Sequence, residues 1–164
     1  MSDLRGEDTR GATGPVREAP EPVRQAVTVR ADQAATFDVL VNEIGAWWPV
    51  TGFSLGGPRV RDVHLDGRAG GLLVERWDDG TQHPWGEVLV WDPPRRLVTS
   101  WLVTATSTEV ELRVLALGPG LCRVEVEHRG WEALEPSQAQ AGRASYRDGW
   151  PVVLGRLRDH VQAG

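Results

Sequence analysis

Apolar residues recur along this chain first in twos, then in threes and fours, then in twos again, and finally in threes and fours. The opening run of twos is VRQAVTVRA, which sets Val23, Gln25, Val27 and Val29 on one side of an extended strand. A helical run follows in AATFDVLVNEIG, where Phe37, Leu40, Val41 and Ile44 share one face. Asp32 stands where an N-cap belongs, its carboxylate able to accept from the unpaired N–H groups of the first turn. Gly45 is placed to end that helix, and Trp47-Trp48-Pro49 forms a bulky apolar turn behind it, with Pro49 opposing helical continuation.

Between Pro58 and His128 the twos return. PRVRDVHL, GGLLVERW, HPWGEVLVW, RLVTSWLV, TEVELRVLAL and LCRVEVEHRGW each read as strands. Asp66-Gly67, Asp78-Asp79-Gly80, Asp92-Pro93-Pro94 and Gly118-Pro119-Gly120 separate them, and Asp-Gly between β-rich runs is a hairpin signal because both residues accept turn geometry. With the opening strand this makes about seven, and tight turns in succession predict antiparallel neighbours. The last element starts at Pro136-Ser137. Tyr146, Trp150, Val153, Leu154, Leu157 and Val161 form one apolar stripe, with a kink or break expected near Gly149-Trp150 because Pro151 lacks an N–H and crowds the preceding turn. Strands flanked by helices in this order predict an α+β domain, helices against one face of a curved antiparallel sheet.

Composition narrows what such a domain can do. The 164 residues suit one domain, expected over 22–164, and residues 1–21, rich in Gly, Pro and charge without apolar periodicity, are expected to be a disordered tail. The 23 acidic and 18 basic residues are spread along the chain, which provides no basic patch for nucleic acid or for an anionic membrane. Cys122 is the single cysteine, so no intrachain disulfide forms. No apolar stretch approaches the ~20 residues of a spanning helix, and the N-terminal segment lacks a secretory apolar core, so the cytoplasm is the expected compartment. Eight tryptophans against two phenylalanines and one tyrosine are unusual; indole joins a large apolar body to one N–H donor and suits pocket walls as well as cores.

The segments IGAWWPVTGFS, GGLLVERWDDGTQHPWGEVLVWDPPRRLVTSW, TEVELRV, RVEVEHRGWE and YRDGWPVVLGRL, in that order, resemble the activator of 90-kDa heat-shock protein ATPase homologue family, within the SRPBCC or START-like superfamily. The resemblance runs over roughly residues 23–162. It implies a helix-grip fold, a curved antiparallel sheet of six to seven strands wrapped around the long C-terminal helix with a cavity between them. It also implies relatives that bind lipids, hormones or polyketides, a few of which catalyse cyclisation or hydrolysis. It carries over no catalytic residue.

The residues themselves leave several chemistries open. His64, His83, His128 and His160 lack metal-ligand spacing, and neither a nucleophile elbow nor a phosphate or dinucleotide loop is present, so no metal and no cofactor is expected. Strand parity sets His128 beside Cys122, Val124 and Val126, where it is either a ligand-orienting donor or general base, or a histidine satisfied at a strand end. Glu75 shares parity with Leu73 and Trp77, and Glu87 with Trp85, Leu89 and Trp91. Across a hairpin they form either an acid–base pair or two solvent-facing partners for Arg76 or Arg96; full burial is rare for charged residues. Trp47, Trp48 and Phe53 flank a Gly- and Pro-punctuated loop that suits a lid, a core plug or an exposed contact patch.

Three functions follow. The first is a binding protein for an apolar small molecule or lipid, held between helix and sheet by Trp48, Trp77, Trp85, Val110, Leu112, Val126, His128, Tyr146, Trp150 and Leu154. The second is a cyclase- or hydrolase-type enzyme using His128 with Glu75 or Glu87. The third is an interaction module, chaperone-linked or homodimeric, using the Trp47-Trp48 region.

Overall fold

A computed structural model describes residues 19–164; the tail expected over 1–21 lies outside the described residues except for its last three. Strand β1 (Val23–Val29) leads into helix α1 (Gln33–Asn42) and a short helix α2 (Ile44–Trp47). Six strands follow: β2 (Val60–Leu65), β3 (Leu72–Trp77), β4 (Gln82–Asp92), β5 (Arg96–Trp101), β6 (Thr108–Gly118) and β7 (Leu121–Arg129). Helix α3 (Pro136–Ala163) closes the chain. The sheet order is β1-β7-β6-β5-β4-β3-β2, antiparallel throughout, so β2 to β7 form a meander and β1 returns beside the last strand. This is the helix-grip architecture, a curled half-barrel holding a long helix.

The curl has a local origin. One extra residue stands in β2 at Arg61 and two in β4, at Trp85 and Leu89, where the pairing register shifts. Each bulge bends its strand and raises the local twist. The concave face receives α3 through Trp150, Val153, Leu154 and Leu157, and α1 adds Phe37, Leu40 and Val41 to the same core. On the outer face, charged side chains ladder across β6 and β7. Arg129 holds Glu109, Glu111 and Glu127, while Arg113 reaches Glu111, Glu125 and Glu127. Burial alone would raise the Glu111 carboxyl, but Arg129, Arg113 and Arg96 keep it below the usual carboxylate value.

Three local expectations are corrected. Asp32 occupies the N-cap position with extended backbone, yet its side chain makes no cap bond; its Oδ1 accepts from the Gly120 N–H at 2.7 Å and ties the β6–β7 turn to the helix start. Gly45 does not end α1. The break falls at Glu43, and Gly45 lies inside α2, where a methyl group would run into the Asp62 carboxylate and stand 2.8 Å from the Val63 carbonyl. Glycine there lets α2 seat directly on β2. Pro151 does not break α3, which continues through it. The carbonyl left without its helical partner is that of Arg147, four residues earlier, and the Gln25 side-chain amide on β1 donates to it at 3.1 Å. No helix among the described residues is long and apolar enough to cross a membrane.

Candidate functional site

Behind α2 the chain turns at Trp48, whose indole drops into the core while its Nε1 donates to the Phe53 carbonyl at 2.9 Å. That bond folds residues 49–53 back over the indole. Around Trp48 stand Trp85 of β4, Trp101 of β5 and Trp150 of α3, with neighbouring ring centroids separated by 4.9 to 6.4 Å in tilted and edge-on arrangements. Such geometries suit the ring quadrupoles. A cavity of ≈ 170 Å³ remains between these rings, the 52–55 loop and α3, its lining completed by Phe53, Leu55, Val103, Ser145, Tyr146, Gly149 and Val153.

Glu75 holds one wall of this cavity in place. It is fully buried, against the expectation of a solvent-facing carboxylate paired with Arg76 or Arg96. Its Oε1 accepts from the Leu55 N–H and the Trp85 indole, both at 2.6 Å, and its Oε2 from the Gly56 N–H at 2.8 Å and the Trp77 indole at 2.7 Å. Burial by itself would raise this carboxyl, but the four donors together hold it below its ordinary value, so the group is a carboxylate. It therefore links the loop at the cavity mouth to Trp85 in the cavity wall. Gly56 must lack a side chain here, since a Cβ would stand 2.5 Å from the Trp77 indole nitrogen.

Glu87 is not Glu75's partner. The bulge at Trp85 breaks the alternation, so Trp85 points inward while Glu87 is exposed. The predicted acid–base pair is absent.

His128 is also corrected as a cavity group. It is fully buried behind the aromatic cluster and is not part of the cavity lining. Its Nδ1 accepts from the Trp150 indole at 3.2 Å, which leaves Nε2 to carry the hydrogen and donate to Thr108 Oγ1 at 2.8 Å. Burial pushes its pKa down to about 3, so the ring is neutral and both nitrogens are committed. The ring braces Trp150 on one side and Thr108 on the other.

Of the remaining predicted contacts, Trp48, Trp85, Tyr146 and Trp150 line the cavity. Val110, Leu112 and Leu154 line a deeper void of ≈ 20 Å³, room for a single water at most. Val126 is packed in the core, and Trp77 lies outside, stacked on His83 at 3.7 Å with the Arg59 guanidinium 4.4 Å from its ring centroid. Trp47 is buried too, its Nε1 donating to the Val39 carbonyl at 3.2 Å, so the Trp47-Trp48 pair is core and not an exposed contact patch. Trp101, Ser145 and Gly149 were not predicted. Trp101 alternates with Leu97 and Thr99 along β5, and Ser145, Gly149 and Val153 follow i, i+4, i+8 beside the aromatic stripe of α3; both patterns were present to be read. Among the described residues no group of three His, Cys, Asp or Glu side chains gathers as a metal site.

A curled antiparallel sheet closed around one long helix, with an aromatic-walled space at their junction, defines the helix-grip class. Within that class the chain belongs to the Activator of Hsp90 ATPase homolog 1-like protein family, whose model matches residues 31–162. Among solved structures it is similar to the self-sacrificing resistance protein CalC from Micromonospora echinospora, at 27% identity and a TM-score of 0.65, covering 87% of this chain and 95% of that one. It is similar in fold to Txn09, an anthrahydroquino-gamma-pyrone synthase, at 24% identity and TM-score 0.53 over 86% and 97% of the two chains. The di-domain ARO/CYC BexL from the BE-7585A biosynthetic pathway matches at 14% identity and TM-score 0.62, over 87% of this chain and 47% of that one. A comparison with curated proteins found no match.

Proposed function

We propose that this protein binds a small, flat, largely apolar molecule in the cavity between α3, the 52–55 loop and the sheet. The observation that carries this reading is the cavity itself, ≈ 170 Å³ walled by four indoles, Phe53 and Tyr146. An apolar cavity of about 150 Å³ in a protein interior takes a benzene-sized ring. Burying roughly 150 Å² of such a ring at ~25 cal/mol per Å² supplies about 4 kcal/mol, a millimolar affinity. A tighter ligand therefore extends past the mouth, where Leu55 is 49% exposed. The likeness to a self-sacrificing resistance protein supports a protective role. The rival enzyme reading is weakened because His128 and Glu75 are fully occupied by structural bonds.

Gly149→Leu tests the assignment. A Cβ at this position stands 3.2 Å from the Phe53 ring, and the rest of a leucine side chain enters the cavity mouth. Naphthalene titrated into the wild-type protein is expected to quench tryptophan emission and saturate at one molecule per chain, and the variant is expected to lose at least tenfold in affinity. Native mass spectrometry of freshly purified protein is expected to show extra mass. No saturation with naphthalene and no co-purifying mass would refute the proposal.

A further inference from the structure

The cavity wall carries four indole N–H groups, and the protein uses all of them. Trp48 donates to the Phe53 carbonyl at 2.9 Å, Trp85 to Glu75 at 2.6 Å, Trp150 to His128 at 3.2 Å and Trp101 to the Tyr146 hydroxyl oxygen at 2.9 Å. A guest in this space meets ring faces and edges, not indole donors. The Ser54 hydroxyl is also committed, donating to the Val50 carbonyl at 2.8 Å, and Ser145 is exposed, so solvent can serve it.

Tyr146 is different. A phenol hydroxyl both donates and accepts, and here the accepting side is taken by Trp101. Its hydrogen meets no acceptor among the described residues, although the side chain packs against the core and lines the cavity. Tyr146 is half-buried, so water can take this hydrogen when no guest is bound, and a guest that displaces the water must accept the bond in its place or lose it. Accepting a bond from the indole also polarises the O–H and makes it a better donor.

We infer that Tyr146 sets the chemical selectivity of the cavity and that the preferred guest is an aromatic carbonyl compound, whose ring lies among the indoles and whose oxygen accepts from Tyr146. This inference rests on the ligand-binding reading above and narrows it. Burial raises the Tyr146 hydroxyl above its usual value, with the Trp101 bond only partly opposing, so the donor stays protonated across the working range. Ammonium ions and carboxylates are disfavoured, because no charged side chain lines the cavity.

The test uses two probes of one shape, acetophenone and α-methylstyrene, which differ in carrying C=O or C=CH2. Affinities for wild type and Tyr146→Phe are measured by NMR titration of the tryptophan indole N–H signals. One neutral hydrogen bond corresponds to about a five- to tenfold change. The acetophenone-to-α-methylstyrene affinity ratio is therefore expected to fall by that factor in Tyr146→Phe, with α-methylstyrene binding unchanged within about twofold. Equal ratios in the two proteins, both probes binding, would overturn the inference and leave the ligand-binding reading standing. Binding of neither probe to wild type would remove both. If Tyr146→Phe does not fold, the wild-type Trp101 indole signal decides, because acetophenone must shift it more than α-methylstyrene does; equal shifts overturn the inference.

Discussion

Glu75→Gln probes the contact on which the cavity wall depends. The carboxylate accepts four hydrogen bonds, two at each oxygen, from Leu55, Gly56, Trp77 and Trp85. A glutamine amide keeps one oxygen and can serve one pair. Its NH2 group then confronts the other pair donor to donor, leaving two buried N–H groups unmet at about 1–3 kcal/mol each. The amide is cheaper to bury than the carboxylate, which offsets part of this, so the net destabilisation is expected at about 3 kcal/mol. For a chain of this size that lowers the melting temperature by roughly 10 °C at pH 7. Because the folded pKa lies below the ordinary 4.5, wild-type Glu75 contributes fully above that value, and its contribution fades as the pH falls through the lowered one. The gap between variant and wild type should narrow there. Thermal unfolding followed by tryptophan emission measures the shift, and hydrogen exchange at the Leu55 and Gly56 amides localises it. A variant that melts within about 2 °C of wild type at pH 7, with unchanged exchange at those amides, would refute the claim that this carboxylate organises the loop.

Two further outcomes test other contacts. His128 has a folded pKa of about 3 against 6.5 in the unfolded chain, so below pH 6.5 the unfolded state takes up a proton that the folded state refuses. Its contribution is complete above that pH and falls by about 1.4 kcal/mol per unit toward the folded value; urea titrations from pH 7 to 4.5 should show this slope reduced by about one proton in His128→Gln, and an unchanged slope contradicts it. Gln25→Leu should cost about 1 kcal/mol in wild type by stranding the Arg147 carbonyl, and nearly nothing in a Pro151→Ala background, where the helix supplies its own donor; equal costs in both backgrounds would show that the Gln25 bond does not compensate for the proline.

The strands and their antiparallel order were legible because period-two runs and Asp-Gly turns depend on neighbours within a few residues. The stripe from Tyr146 to Val161 was legible for the same reason, since one helix face repeats at fixed spacing. Asp32, Gly45 and Pro151 were each placed at or near a helix landmark, but the side-chain cap bond at Asp32, the stop at Gly45 and a break at Pro151 do not form. In every case the deciding partner lay far along the chain: Gly120 for Asp32, Asp62 and Val63 for Gly45, and Gln25 for Pro151. Glu75 was missed by a general rule, that charged residues seldom bury fully, which fails when four donors converge. Its assembly needs Leu55 and Gly56 from the loop together with indoles from two strands. Glu87 was misassigned because simple alternation cannot foresee a bulge at Trp85. The cavity wall was thus legible as an aromatic excess, whereas the Ser145, Gly149 and Val153 spacing on α3 marks a helix face without marking a cavity.

Because the walls are indoles, the space can be re-tailored only in large steps. A smaller aliphatic in place of Trp85, Trp101 or Trp150 would enlarge the chamber by most of a bicyclic ring, and it would also take a hydrogen-bond donor from Glu75, Tyr146 or His128. Descendants with roomier chambers are then expected to carry paired exchanges, each lost indole accompanied by a change in the residue it once served. Guest size and scaffold integrity evolve as one trait in this architecture.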